Sequence, residues 1–321
     1  MLPSSGARRK AVVAAGVLAA IVGSGALFEI VASRRARRNP PGVLVDLGGR
    51  RIHLLCIGAG RPTIIFEPSS FGSSISFTET REHVARTARV CSYDRLGSGW
   101  SDDSPSELSV GALADDLLRL QQKASIDSPV VLVASSMGGA VAEMFARRHP
   151  ERVAGLVFLD AANSELLETV DATIDEKTRA SIGAACFAIR VARPIGVLRL
   201  FDARTGVWSM LCAAIRALPT TLVEFHDAPL LSPDIPMVVM SAETSDDLLP
   251  KGPFVPASVR ESAVLQRVMR QLRETHQHLA ARSNHGRWVV VSGSGHLIAG
   301  DRPDVVTNAV LDIVTPKSSS R

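Results

Sequence analysis

The sequence predicts an α/β protein with a mostly parallel eight-stranded sheet covered on both faces by helices. Two observations predict it. Strand-like apolar runs recur along the chain at Val43 to Asp46, Arg51 to Ile57, Pro62 to Phe66, Val90 to Tyr93, Val130 to Val133, Leu156 to Leu159, Met237 to Met240 and Trp288 to Val291. Segments with helical spacing, such as Val110 to Lys123 and Gly139 to Arg148, separate the later runs. Antiparallel-looking pairs followed by strand–helix alternation give a largely parallel sheet flanked by helices. Ligands of such sheets bind at the carboxyl ends of the strands, so the loops leaving those ends are where chemistry is expected.

The chain has 321 residues, 46% of them hydrophobic, enough for one large core or two modest ones. One domain plus a tail is the economical reading. The net charge of +4 comes partly from basic residues near the N-terminus, Arg8, Arg9, Lys10, Arg34, Arg35, Arg37 and Arg38. No later stretch interleaves basic and aromatic residues as a nucleic-acid groove does, so nucleic acid is not an expected partner. Cys56, Cys91, Cys186 and Cys212 lack CxxC spacing, and the first two sit in apolar runs where a thiol packs as a small hydrophobe. Neither a disulfide framework nor a zinc site is expected, and no metal or organic cofactor is implied.

Residues 1–40 differ in kind from the rest. From Ala11 to Phe28 there is no charge, and apart from glycine and Ser24 every residue is apolar. Such a run approaches the ~30 Å of a bilayer's hydrocarbon core at 1.5 Å per residue. A single-pass N-terminal transmembrane anchor is expected. The alternative is secretion after cleavage of a signal peptide near Gly23-Ser24-Gly25-Ala26. Basic clusters flank both ends of the run, so the positive-inside rule does not choose a side. Asn39-Pro40-Pro41-Gly42 then ends any helix. The α/β domain is expected over 41–316, with residues 317–321 as a frayed tail.

The stretch from Pro129 to Arg148 reads as a buried strand, a tight turn and a helix. The turn, Ala134-Ser135-Ser136-Met137-Gly138, has a small residue two before and two after Ser136, with alanine where glycine is usual. A nucleophile elbow needs small residues there because the strained turn brings strand and helix close together. It lifts the serine hydroxyl above the sheet and sets the helix N-terminus beneath it, so the Met137 N–H is a candidate oxyanion donor. A second constellation, Val289 to His296, runs a strand into a glycine-containing loop that ends on His296 at the same sheet edge. Neutral imidazole there can take the serine proton and return it to a leaving group. The other histidines, His53, His83, His149, His226, His276, His278 and His285, read as surface or satisfied core residues.

From Gly42 to Ile313 the chain resembles the α/β-hydrolase-fold serine hydrolases of the esterase and lipase-like group, including membrane-anchored bacterial members. Five segments carry the resemblance in order: Val45 to His53, Tyr93-Asp94-Arg95-Leu96-Gly97-Ser98-Gly99-Trp100-Ser101, the elbow, Leu159-Asp160-Ala161-Ala162, and Gly293-Ser294-Gly295-His296 with Asp301-Arg302-Pro303. The resemblance implies a second oxyanion donor after a His-Gly pair at the end of the third strand. This sequence departs there with Glu67-Pro68-Ser69-Ser70-Phe71-Gly72. Counting back from Gly72 makes the Ser70 N–H the first candidate and Ser69 the next, while Glu67 is read as a buried structural carboxylate. The loop Ser241 to Pro250 resembles the family's acid-bearing loop, and Asp246 keeps the usual distance to proline. Asp246 is therefore favoured as the acid, Asp160 is its rival, and Asp247 and Glu243 stand behind them. The insertion at about 163–235, apolar at loosely helical spacing, is expected to form a helical cap.

The resemblance implies hydrolysis of an ester, by a carboxylesterase or lipase-like enzyme, through an acyl-enzyme on Ser136 with a small, hydrophobic acyl substrate. Peptidase, lactonase, acyltransferase and cofactor-free perhydrolase chemistry are alternatives, and so is a catalytically silent membrane-tethered binding module. A carboxylate nucleophile, which haloalkane dehalogenase and epoxide hydrolase chemistry needs, is absent from the elbow.

Overall fold

The computed structural model describes residues 39–70, 72–104, 108–126, 129–192, 206–244 and 263–315, with positions 23–24, 27–28 and 31 near the N-terminus. Eight strands form one sheet: β1 (Val43–Asp46), β2 (Arg51–Ile57), β3 (Ile64–Glu67), β4 (Val90–Tyr93), β5 (Val130–Ser135), β6 (Val153–Leu159), β7 (Met237–Ala242) and β8 (Gly286–Val291). Their spatial order is β1-β2-β4-β3-β5-β6-β7-β8. The β1–β2 and β2–β4 pairs are antiparallel and the rest parallel, as the sequence predicts. The described helices are α1 (Thr78–Val84), α2 (Val110–Lys123), α3 (Gly138–Arg148), α4 (Ser164–Thr173), α5 (Glu176–Ala192), α6 (Gly206–Asp227), α7 (Ala263–Ala281), α8 (Ile298–Asp301) and α9 (Pro303–Val314).

The central strand explains why both faces must be covered. Every residue of β5 is buried, and its side chains alternate between two apolar clusters. Val130, Leu132 and Ala134 join Leu117 and Leu120 of α2 and Val141, Met144 and Phe145 of α3. Val131 and Val133 face the other way, with Val84 of α1 and Val306, Ala309 and Val310 of α9. The i, i+3, i+4 spacing of these helical residues lays one stripe of each helix on the sheet. Removing a side chain such as Phe145, fully buried here, costs about 3–5 kcal/mol in settings of this kind. A core packed on both faces makes the strand ends a fixed frame from which β3, β5, β6, β7 and β8 present their following loops.

The cysteines correct the sequence reading. Cys56 and Cys91 form one disulfide and Cys186 and Cys212 another. Cys56 lies directly opposite Cys91 in the antiparallel β2–β4 ladder, a cross-strand pairing that spacing along the chain does not reveal. The second bond ties α5 to α6. Two compact units emerge, 1–39 with 176–212, and 40–175 with 213–321; the site described below lies wholly in the second. The expected membrane span, 11–28, falls outside the described residues except for Gly23, Ser24, Leu27 and Phe28. Among the described residues no helix is long and apolar enough to cross a membrane.

Candidate active site

Ser136 stands at the end of β5 with φ +53°, in the left-handed region that costs a residue with a side chain about 1–3 kcal/mol unless its surroundings enforce it. Here they do. The Ser136 N–H donates to the Leu159 carbonyl at 3.2 Å, and the Ser136 carbonyl accepts from the Ala162 N–H at 2.8 Å and from the Gly139 N–H at 2.9 Å. These bonds fasten the turn to the end of the neighbouring strand β6. The helix that follows can approach because it begins with two glycines. A Cβ on Gly138 would lie 2.6 Å from the Pro68 carbonyl oxygen, and one on Gly139 would lie 2.4 Å from that of Ala162. The Ala134 side chain is buried without needing glycine's freedom. Sequence reasoning placed a required small residue at 138 and missed 139, whose signal was the doubled glycine itself.

Asp160 follows β6 and also has positive φ, +42°. Its N–H donates to the Met240 carbonyl at 2.8 Å, and its carboxylate Oδ1 accepts from the Ala242 N–H at 3.1 Å. The other oxygen, Oδ2, is 2.7 Å from Nδ1 of His296. A carboxylate can only accept here, so Nδ1 carries the proton and Nε2 the lone pair. Burial acts against charge on Asp160, but the bond from His296, the nearby imidazoles and the Ala242 N–H outweigh it and hold the carboxyl below its ordinary value. The acid stays ionised, as the partner of an imidazolium must.

His296 itself is placed by its loop. Glu243, just past β7, accepts the Gly293 N–H on its Oε2 at 2.8 Å, and the Glu243 and Thr244 N–H groups donate to the Ser294 carbonyl at 3.2 and 3.3 Å. Asp301 accepts the Gly295 N–H at 2.8 Å. Glu243 thus supports the histidine loop and leaves the histidine to Asp160. Asp246 and Asp247 lie outside the described residues.

Behind Asp160 is a second buried imidazole. His276 of α7 puts Nε2 2.8 Å from the Ala161 carbonyl and Nδ1 2.8 Å from Ser241 Oγ, and Ser241 Oγ takes the Trp288 indole N–H at 2.9 Å. A carbonyl cannot donate, so Nε2 bears the proton and Nδ1 accepts from the serine hydroxyl. Burial pushes the His276 imidazolium down from its ordinary value, with Asp160 opposing, and the ring is neutral. His276 is a satisfied core residue, as expected.

The loop after β3 holds the remaining candidate, Ser70. Glu67 is fully buried, as the sequence reading has it, and is bound by the Tyr93 hydroxyl and by the Arg95 guanidinium, whose Nε is 2.8 Å from Oε1. Arg95 Nη2 also donates to the Pro68 carbonyl, and Nη1 is 3.4 Å from that of Ser69. Burial raises the Glu67 carboxyl while Arg95 and Tyr93 draw it back, and burial raises the Tyr93 hydroxyl well above its ordinary value, so that it serves as a neutral donor. The loop meets the elbow where the Pro68 carbonyl touches Gly138. Ser136, Asp160, His296 and the Ser70 loop therefore share one edge of the sheet. Among the described residues no group of histidine, cysteine, aspartate and glutamate could hold a metal ion.

Comparison with known proteins agrees with this architecture. Residues 62–179 match the model of the alpha/beta hydrolase fold family. An uncharacterized protein of Schizosaccharomyces pombe is 34% identical over 135 residues, 40% of this chain and 25% of its own length. A haloalkane dehalogenase of Sphingobium indicum is 31% identical over 121 residues, covering 36% of this chain and 40% of the relative. The chain thus spans well under half the length of these curated relatives. A thermophilic esterase structure from Thermogutta terrifontis superposes with a TM-score of 0.54 at 22% identity, over 85% of this chain and 97% of the other.

Proposed function

We infer from its α/β-hydrolase fold and from the bond between His296 and Asp160 that this chain is a serine hydrolase that cleaves a carboxylic ester. The single observation that carries the reading is that 2.7 Å buried bond, formed beside an elbow whose serine is held at positive φ. Ser136 attacks the ester carbonyl as His296 Nε2 takes its proton. The Met137 N–H and a loop N–H, Ser70 first and Ser69 next, stabilise the oxyanion. The tetrahedral intermediate collapses, His296 returns the proton to the departing alkoxide, and an acyl-enzyme remains. Water, deprotonated by the same histidine, then releases the acid and restores Ser136. Asp160, the rival in the sequence reading, is the acid in this scheme, since it orients His296 and balances the imidazolium.

A serine at the elbow separates this chemistry from that named for the dehalogenase relative, because displacement of halide through a covalent ester needs a carboxylate nucleophile. The substrate class proposed is a small hydrophobic ester, supported by the apolar insertion between Asn163 and Pro236. Attachment to a membrane through 11–28 belongs to the same proposal and is supported by that run's lack of charge and its basic flanks.

The test is intact mass of the detergent-extracted full chain after exposure to a fluorophosphonate, alongside Ser136→Ala and His296→Ala, followed by a chain-length series of p-nitrophenyl esters. One adduct, absent from both variants, with turnover of at least one ester, supports the reading. A folded wild-type chain with neither adduct nor turnover turns it toward the silent membrane-tethered module.

A further inference from the structure

Building on the oxyanion stabilisation in that reading, we propose that Arg95 is a positioning residue that sets the two peptide planes of the oxyanion loop, with Glu67 and Tyr93 fixing the guanidinium that does so. In a trans peptide the carbonyl of one residue and the N–H of the next point in opposite directions. Arg95 Nη2 binds the Pro68 carbonyl, which turns the Ser69 N–H away from the guanidinium. Arg95 Nη1 lies 3.4 Å from the Ser69 carbonyl, which also accepts the Gly72 N–H at 3.2 Å, and this turns the Ser70 N–H away as well. Both candidate donors are thereby oriented from behind by a group that never meets the substrate. Gly72 keeps the approach to the Ser69 N–H narrow but open: a Cβ there would stand 3.1 Å from the Ser69 nitrogen.

The rest of the network follows from the chemistry of a buried cation. Arg95 is 5% exposed and needs a counter-charge, which Glu67, itself 0% exposed, supplies through one oxygen to Nε and Nη2. The second oxygen is taken by the Tyr93 hydroxyl. A planar guanidinium can reach one carboxylate and two successive carbonyls at once, whereas an ammonium at the same place is a point charge without the fork. In this chain, which has Pro68-Ser69 where the resembled family has a His-Gly pair, Arg95 with its counter-charge Glu67 fixes the loop by charge-assisted bonds to the Pro68 and Ser69 carbonyls.

The experiment compares wild type, Arg95→Lys and the charge-balanced Glu67→Gln/Arg95→Gln pair. It measures kcat and KM on a p-nitrophenyl ester, and the ionisation of the hemiketal formed by Ser136 with a trifluoromethyl ketone, followed by carbon NMR. The expected result is kcat lower by about 10- to 100-fold with KM within about twofold, and a hemiketal hydroxyl that ionises at higher pH in both variants, in keeping with a weakened oxyanion donor. Folded variants with wild-type kcat and an unchanged hemiketal titration overturn the proposal while leaving the serine hydrolase reading in place. Failure of both variants to fold assigns Arg95 to the fold alone and overturns it too. A wild-type chain that neither turns over ester nor forms the hemiketal removes the reading on which it rests, and the proposal with it.

Discussion

His53 and His296 each present Nδ1 to an aspartate, Asp94 at 3.0 Å and Asp160 at 2.7 Å, and both pairs are buried. In both, hydrogen bonds outweigh the burial that acts against the charge and hold the carboxyl below its ordinary value. Their surroundings differ. Asp94 also accepts the Ser74 and Trp100 N–H groups, at 2.6 and 2.9 Å, and the His53 ring lies 4.9 Å from that of Trp100. The backbone of Gly42 closes the far side, where a Cβ would come within 3.0 Å of His53 Nε2. That pair belongs to the antiparallel part of the sheet and clamps the loop after β4 onto it. The His296 pair stands instead on loops after parallel strands, beside a serine at positive φ. An imidazole–carboxylate bond is therefore no marker of a site by itself; what matters is which strand ends it joins and what stands next to Nε2.

The comparison breaks most sharply on substitution of the two histidines. His296→Ala is expected to lower kcat by about 10⁴-fold or more, and, because buried Asp160 keeps the Ala242 N–H but loses the imidazole, to cost about 1–3 kcal/mol of stability as well. His53→Ala removes one of the three donors to buried Asp94 and leaves the Ser74 and Trp100 N–H groups, so it should cost about 1–3 kcal/mol in urea unfolding while the folded fraction keeps its specific activity. Full activity in His296→Ala would erase the distinction. Next in size is the acid. Asp160→Asn should reduce kcat by about 10²- to 10⁴-fold, less than Ser136→Ala, and Asp246→Asn by no more than about threefold; steady-state kinetics with the reverse ranking would move the acid to the β7 loop. Gly139→Ala sharpens the role of the β5–β6 junction. The added methyl meets the Ala162 carbonyl, and calorimetry should show a loss of about 1–3 kcal/mol, accompanied by a lower kcat.

The smallest effect concerns His276. Its folded-state value lies below the ordinary 6.5, so as pH falls through that value the unfolded chain takes up the proton first. The stabilising contribution is complete above about pH 6.5 and is lost below it, until the folded-state value is reached, with a slope of at most about 1.4 kcal/mol per pH unit. Urea unfolding of wild type and His276→Gln between pH 7 and 5 should show the stability gap between them shrinking or reversing as the pH drops. Parallel profiles would mean that the buried ring does not titrate in this way.

Much of this arrangement can be read from the sequence. The eight apolar runs become the eight strands, and the signal is strongest where burial is continuous on both faces, as in β3, β4, β5 and β7. Ser136 and His296 are legible as candidates because Ser136 directly follows β5 with glycine two residues on, and His296 follows a glycine in the loop after β8. The acid was harder. Motif spacing favoured Asp246, and what makes Asp160 the partner of His296 is that β6 lies beside β5 and β7, a neighbourhood created only by sheet order. Arg95 shows the same limit: its work depends on two carbonyls some 26 residues away in sequence, at Pro68 and Ser69. Glu67 was legible as a buried carboxylate but not as the counter-charge of that arginine. The cysteines failed for an equally local reason, since Cys56 and Cys91 become partners only once the register of two antiparallel strands is known.

The two disulfides also bear on where this chain can mature. Bonds of this kind form and endure outside the reducing cytosol, in the exported and luminal spaces of cells. One of them crosses neighbouring strands of the main sheet and the other joins two cysteines of the smaller unit, so each fastens a different part of the chain. Produced among cytosolic thiols, the same polypeptide would carry four free sulfhydryls and rely on packing alone. Comparing the protein recovered from a reducing compartment with that from an oxidising one therefore reports on how much of its durability the two bonds supply.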